Sequence, residues 1–394
     1  MAFRSQFTSV AVAVQSSVDT WGSPSSADLF PCANVRLSKE SITAENPEYL
    51  GTVDKPGDFV LGQKVSLTLS IPIRAPGGAS PPAAGAFIPG RFLRAAGWTE
   101  NILSAAVPVA AEALGVGSTT TAAKLGSTAV ATAQLYKGLA LNLSDNGTGY
   151  NRQLTAIRDY TSAKLATIAE TLGSPPAANY QIPKQLAYQS GASGVPPVLS
   201  LSVWYDHSRY DLLNMTVSSL KFTFPASTRN STEYPMIELT LDGDLYAFAD
   251  EDAPLVGALG AIPTFKDGDF WVAGKALGGS SFSVDMGIQV GYPPNPNKAS
   301  GNDAAQITQT KRTAQINLNH NLKATIDFEA LALAQAQQCL WAQYGYVAGN
   351  CVSFIIPNGR FAYANVDNSG EFVTQTIDML IDDSAKAVNL IFPF

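Results

Sequence analysis

Charge is scarce in this 394-residue chain. Charged residues make up 14 %, against about a quarter in an average soluble protein. The hydrophobic share is 46 %, so the scarcity does not signal disorder, which pairs low hydrophobicity with high charge. The 25 bases against 32 acids give a net charge of −7, which excludes a basic nucleic-acid footprint. Long apolar runs are absent, and no membrane span is expected. Three cysteines, Cys32, Cys339 and Cys351, form no CxxC pair, so neither a zinc knuckle nor a redox motif is supported. An odd count in a long chain argues against a disulfide framework, and the spacing predicts small buried thiols. Two histidines remain, His207 and His320. Asp206, His207 and Ser208 are the residue types of a catalytic triad, but neighbours on a strand point to opposite faces. A metal site on these histidines would need carboxylates that the spacing does not supply.

The remaining motifs are weak. Gly115-Val-Gly-Ser-Thr119 lacks the Gly-Lys-Ser/Thr ending of a phosphate loop. Asp242-Gly-Asp244 and Asp250-Glu-Asp252 do not fit the twelve-residue calcium loop and read as solvated acidic loops. Asn142, Asn146, Asn214 and Asn230 begin glycosylation-type triplets, which matter only in a secreted eukaryotic protein. The apolar stretch Val10–Val14 is too short for a signal peptide. No catalytic residue, metal or cofactor is expected.

Period-two alternation dominates what is there. Val65 to Ile73, Leu199 to Tyr205, Phe282 to Val290 and Val388 to Phe394 place apolar residues at every second position, the signature of strands with one buried face. Further strands are expected near 217–224, 235–242, 352–356, 359–366 and 372–381. Ser, Thr and Gln occupy many polar-face positions where Lys and Glu are usual. Such a face suits either strands closed into a large sheet or an ordinary antiparallel sandwich. A helix is predicted over 327–344, capped by Thr325 or Asp327 and ended by Gly345, with Leu333, Ala336, Leu340 and Tyr344 as its apolar stripe. A shorter helix is predicted over 90–96, with Gly97 as its C-terminal cap.

The stretch 99–186 differs in kind. It is rich in Ala, Ser, Thr and Gly, has no Phe or Trp, and holds Tyr136, Tyr150, Tyr160 and Tyr180. Helices near 103–114, 121–137 and 151–172, the last capped by Asn151, are expected. With such small side chains it must lean on the main body to bury apolar area. It reads as an insertion dividing a β-domain into 1–98 and 187–394. Charge sorts the same way: the insertion has six bases against five acids, the rest 19 bases against 27 acids.

Several loose motifs, taken in order, resemble the tail tube (major tail) proteins of long-tailed bacteriophages. They are Val14-Gln-Ser-Ser-Val-Asp-Thr-Trp-Gly22-Ser-Pro, with Gln15 where Glu is common; Phe92-Leu-Arg-Ala-Ala-Gly-Trp98; and Leu199-Ser-Leu-Ser-Val-Trp-Tyr-Asp206. They continue with Asn214-Met-Thr-Val-Ser-Ser-Leu-Lys-Phe-Thr-Phe224, Pro235-Met-Ile-Glu-Leu-Thr-Leu-Asp-Gly-Asp244 and Asp250-Glu-Asp-Ala-Pro254. Gly349-Asn-Cys-Val-Ser-Phe-Ile-Ile-Pro357 and Gly359-Arg-Phe-Ala-Tyr363 match the closing half. The resemblance covers 1–98 and 187–394 and fails over 99–186.

The resemblance implies a mainly β fold: an antiparallel β-sandwich or barrel with a flanking α-helix, here carrying an Ala-rich, partly helical insertion on the outer surface. It implies a homo-hexamer whose strands line an inner barrel, stacked into a tube in the virion tail and assembled in the host cytoplasm. The implied partners are the tape measure protein, the tail terminator and the tail tip or baseplate proteins. Double-stranded DNA would pass through without specific binding during ejection. An acidic lumen would repel phosphates, where a basic one would hold them by counterion release. The candidate lumen-facing acids are Asp242, Asp244, Asp250, Glu251, Asp252, Asp382 and Asp383. The candidate inter-ring contacts are Phe3, Arg4, Phe7, Phe392 and Phe394. Two other readings stand beside this one. The first is another virion structural protein, a decoration protein or adhesin. The second is a polysaccharide hydrolase using Asp242 and Asp250, which would need carboxylates about 5–9 Å apart.

Overall fold

Strand pairing, not helix packing, organises the chain. The computed structural model of the protein describes residues 7–48, 57–143, 154–176, 179–191, 194–225, 233–257, 262–263, 268–277, 279–298, 301–319, 327–368, 373–382 and 385–394. It is mainly β, with 54 % strand against 5 % helix.

The first stretch supplies β1 (Thr8–Val14), β2 (Leu29–Phe30), β3 (Ala33–Ala44), β4 (Phe59–Pro72), helix α1 (Ile88–Ala95) and β5 (Trp98–Leu103). Next come β6 (Val107–Ala113), β7 (Ala122–Lys124), β8 (Ala140–Asn142), β9 (Leu154–Tyr160), β10 (Leu165–Ile168) and β11 (Asn179–Ile182). The chain continues as β12 (Gln185–Ser190), β13 (Leu199–Tyr205), β14 (Ser208–Pro225), β15 (Met236–Asp250), β16 (Gly268–Val272), β17 (Lys275–Ala276) and β18 (Gly279–Asp285). Then follow β19 (Ile288–Gly291), β20 (Gln306–Thr310), β21 (Thr313–Asn319), α2 (Phe328–Ala334) and β22 (Gln338–Tyr344). The last strands are β23 (Val352–Phe361), β24 (Asn365–Asp367), β25 (Thr374–Ile381) and β26 (Asn389–Pro393).

Among the described residues β14, β23 and β25 each pair with three other strands. β14 pairs with β15 along one edge. Along its other edge it pairs with β13 at one end and β18 at the other. From β15 the sheet runs on through β4 to β3, and from β13 through β1 to β2. From β18 it runs through β21 and β25 to β23. β23 in turn carries β22 on one edge and β26 on the other, with β12 and β5 beyond β26. The result is a large antiparallel assembly, part of it curled into a half-barrel.

Between its layers lies an aromatic core. Phe224 sits 4.4 Å from Phe282, 4.8 Å from Phe354 and 5.5 Å from Tyr344, centroid to centroid. Aromatic pairs at this range add about 0.5–1.5 kcal/mol beyond area burial. Helix α1 closes one end of the core with Phe92, Leu93 and Ala95 buried. Gly90 lets the helix lie against β12, because a Cβ there would stand 1.8 Å from the Tyr188 hydroxyl. That hydroxyl donates to Glu100 at 2.5 Å. Gly97, at φ +80°, ends α1 as expected, its N–H on the Arg94 carbonyl.

Two expectations are corrected. The helix over 327–344 is only Phe328–Ala334, capped by Asp327 through the Ala330 N–H and stopped by Gln335 at φ +50°. Residues 338–344 form β22 instead. Leu340, Ala342 and Tyr344 enter the main core, while Cys339 and Trp341 enter a second core on the opposite face. A strand apolar on both faces leaves no alternation to read and imitates a helical stripe. Thr325 and Asn151 lie outside the described residues.

The stretch 99–186 is the second correction. Among its described residues there is no helix; β6, β11, β8, β9, β10 and β7 form a six-stranded sheet in that order. Its outermost strands do not belong to it, because β5 and β12 are paired with each other in the main sheet. The small side chains that favoured helix instead allow close stacking on the back of the main sheet. There, Ala156, Ile157, Tyr160 and Tyr180 share a core with Trp341, Ile355 and Ile391. The dependence on the main body that composition implied is thus observed. Cys339 and Cys351 are buried free thiols, and burial pushes Cys339 up to about 12.

Glu112 closes this sheet. Its carboxylate accepts from the Ser127 N–H (2.8 Å) and hydroxyl (2.6 Å), the Thr128 N–H (3.2 Å) and the Tyr180 hydroxyl (3.0 Å). The Ser127 bond is the largest cause holding its pKa down at about 2, against an ordinary 4.5.

Two outcomes follow. Phe224→Ala should cost about 3–5 kcal/mol in chemical denaturation, while Phe248→Ala, 76 % exposed, should stay within about 0.5 kcal/mol. Because the folded pKa of Glu112 is depressed, its contribution is complete above about pH 4.5 and is lost as pH falls towards 2. Hydrogen exchange of β6 and β7 should accelerate across that window, and Glu112→Gln should flatten the dependence.

Candidate assembly surface

β4 buries Val65, Leu67, Leu69 and Ile71, which forces Ser66, Thr68 and Ser70 onto its other face. Register carries that face across the sheet. Arg36 and Ser38 on β3 stand opposite Thr68 and Ser66. Ser70, Thr68 and Ser66 stand opposite Glu238, Thr240 and Asp242 on β15. Glu238 and Thr240 in turn face Lys221 and Ser219 on β14. The outward face is therefore a hydroxyl ladder that also carries Arg36, Lys221 and Glu238, while Ser70 and Asp242, in the same register, are covered. Thr223 donates to Glu238 at 3.0 Å across the same strands.

This ladder ends on β3, whose outer edge pairs with no strand among the described residues. β3 is 12 residues long and largely exposed. A long free edge is a template for another strand. Arg36, Lys39 and Glu40 put both signs of charge along it, so a pairing strand must answer those charges. At the β3–β4 turn end, Ile42, Phe59 and Val60 are exposed, Val60 to 70 %. Sequence reading missed β3. Its signal was short, Val35 and Leu37 alternating with Arg36 and Ser38, because only the first part of the strand is half-buried.

The candidate acids do not form one surface. Asp242, inside β15 rather than in a loop, is 8 % exposed and accepts from Tyr292 at 2.8 Å. Asp244, also within β15, lies 3.4 Å from the Asn214 amide, and burial raises its carboxyl. Both sit where the ladder bulges around Gly243, whose Cβ would meet Met215 at 2.5 Å. Asp250, Glu251 and Asp252 cluster at the far end of β15, where Glu251 pairs with Arg209 and Asp252 with His207. Asp382 lies elsewhere, bonded to Gln337 and 3.7 Å from Arg360. Asp383, Phe3 and Arg4 lie outside the described residues. Phe7 is 43 % exposed. Phe392 and Phe394 are corrected as surface contacts: both are buried, Phe392 5.1 Å from Phe87, because the terminal strand β26 is interior to the sheet.

The triad and hydrolase readings gain no geometry. His207 is an exposed surface partner of Asp206 and Asp252. Asp242 and Asp250 are eight positions apart on one strand, about 26 Å at the usual rise, well beyond glycosidase spacing. Asn142 and Asn214 are buried, which removes both as glycan acceptors. Among the described residues no group of three potential ligands could hold a metal, and no helix is long and apolar enough to cross a membrane. The sequence matches no protein-family model, and no curated protein matches it.

A paired change, Ile42→Lys with Val60→Lys, tests the surface. Unfolding should shift by no more than about 0.5 kcal/mol, since both side chains are exposed. If copies of the chain pair along β3, self-association in sedimentation should be seen for the unchanged chain and lost in the variant. Retained association would place the contact elsewhere.

Proposed function

We propose that this chain is the structural subunit of a bacteriophage tail tube, with six copies closing a ring and rings stacking into a hollow conduit for double-stranded DNA. The observation that carries the reading is the free edge of β3 at the end of a curled sheet. Pairing that edge with the next copy would continue the ladder around a ring and remove the edge altogether. The ordered motif series supports the same reading, as does the low overall charge, which suits surface reserved for neighbouring copies.

The outward hydroxyl ladder supplies the wall that the reading needs. A face mostly of Ser and Thr, with Lys221 opposite Glu238, offers phosphates few counterion-releasing contacts, so DNA would slide past it. An acidic lumen would rest on Asp250, Glu251 and Asp252 at the strand ends, since the ladder carries both signs of charge. The tape measure protein would occupy the same channel before DNA, and the terminator and tip or baseplate proteins would cap its ends. The second sheet, packed behind the main one, would lie on the outer wall.

Electron microscopy of virions labelled with antibody to this chain checks the proposal. Label spaced along the whole tail, with the chain among the most abundant virion bands, is the expected result. Label confined to the tip or to the capsid, at low copy number, would favour the adhesin or decoration reading instead.

A further inference from the structure

At the seam between the second sheet and the main one, a lysine is buried without a partner. Lys137, in the loop before β8, is 7 % exposed, and among the described residues its ammonium makes no hydrogen bond or ion pair. Its backbone carbonyl accepts from the Gln189 Nε2–H of β12 at 3.0 Å, which fixes the loop against the main sheet. A buried, unpaired charge is costly, and a side chain so placed either sheds its charge or takes a partner.

The charges around Lys137 come from both layers, and each is already engaged. On β9, Arg158 donates from Nη2 to the Gln337 carbonyl at 2.7 Å and from Nε to Asn358 Oδ1 at 3.2 Å. Its neighbour Asp159 accepts from Gln134 at 2.6 Å. Asp382, after β25, is bonded to Gln337 and stands 3.7 Å from Arg360. Lys386, before β26, spends its Nζ on the Gln134 and Leu135 carbonyls at 2.8 and 3.1 Å. The cations Lys137, Arg158, Arg360 and Lys386 thus outnumber the carboxylates Asp159 and Asp382. Burial pushes the Lys137 pKa down, Asp159 and Asp382 pull against it, and Arg158 adds to the depression. Such a lysine holds more neutral amine than an exposed one, and the neutral amine is a nucleophile. The surplus of cations favours a product in which Lys137 itself carries a negative charge, because that change leaves the cluster neutral. The small remaining exposure admits only a small reagent, and an uncharged one enters without the desolvation penalty of an ion. Carbon dioxide is small, uncharged and electrophilic.

We infer that Lys137 is a modification site for carbon dioxide, forming a carbamate whose charge is answered by Arg158 and Lys386 at the seam. In the step, the lone pair of the neutral Nζ forms the N–C bond, one C–O π pair retreats to oxygen, and a nitrogen proton passes to water. No oxidant, reductant or further reagent is consumed. The inference stands apart from how the chain assembles. It is tested by equilibrating the full chain with carbon-13 bicarbonate and carbon dioxide, trapping carbamates by O-ethylation with a trialkyloxonium salt, and mapping the label by peptide mass spectrometry. Label on Lys137 several-fold above that on the exposed Lys275 is expected. The unchanged chain should also gain Tm under carbon dioxide, and Lys137→Arg, which keeps a cation, should lose that gain. Should the variant not fold, the label on the unchanged chain decides alone. Label on Lys137 no greater than on Lys275 would overturn the inference, as would label on Lys386 in its place. A Tm gain from inorganic phosphate or sulfate without label on Lys137 would also overturn it, because a bound anion would then be the partner of the ammonium.

Discussion

The structure depends on one strand being shared. β14 must satisfy β15 along one edge and divide the other between β13 and β18. That division splits the sheet into two directions with a core between them. Phe222 and Phe224 on β14 fill that core at the point of division, so hydrogen bonding and aromatic packing reinforce each other there. Asn214, at φ +55°, and the bulge opposite Gly243 supply the bend that the split requires. β23 repeats the arrangement, with β22 on one edge and β25 and β26 on the other.

Much of this was legible in the alternation. β4, β13 and β26 carry an apolar residue at every second position, and their positions follow from the sequence to within a few residues, although β13 and β26 are buried on both faces. Helix α1 was legible too, because Gly97 marks its end. The second sheet was not. Its alanines carry high helix propensity, and its strand character comes from docking against Trp341, Ile355 and Ile391, which are far away in sequence. β22 was hidden for a related reason: both of its faces are buried, against different cores. In each case tertiary contact overrode a local preference.

The polar ladder was legible in composition but not in place. Ser and Thr at polar-face positions suited a closed sheet or an ordinary sandwich alike, and the register gathers many of them into one ladder across β3, β4, β15 and β14. The acids did not gather. Spacing along the chain cannot tell a strand-interior Asp242 from a strand-end Asp250, yet burial separates them completely. The terminal aromatics misled for the opposite reason, since a chain end suggests a free arm while β26 lies inside the sheet.

The tube proposal rests on β3 being an unfinished edge completed by another copy. A high-resolution electron cryomicroscopy reconstruction of the assembled particle tests it most directly. Six copies around a lumen are expected, with the outer backbone groups of β3 hydrogen-bonded to a strand of the neighbouring subunit. An assembled particle in which that edge of β3 faces solvent would contradict it.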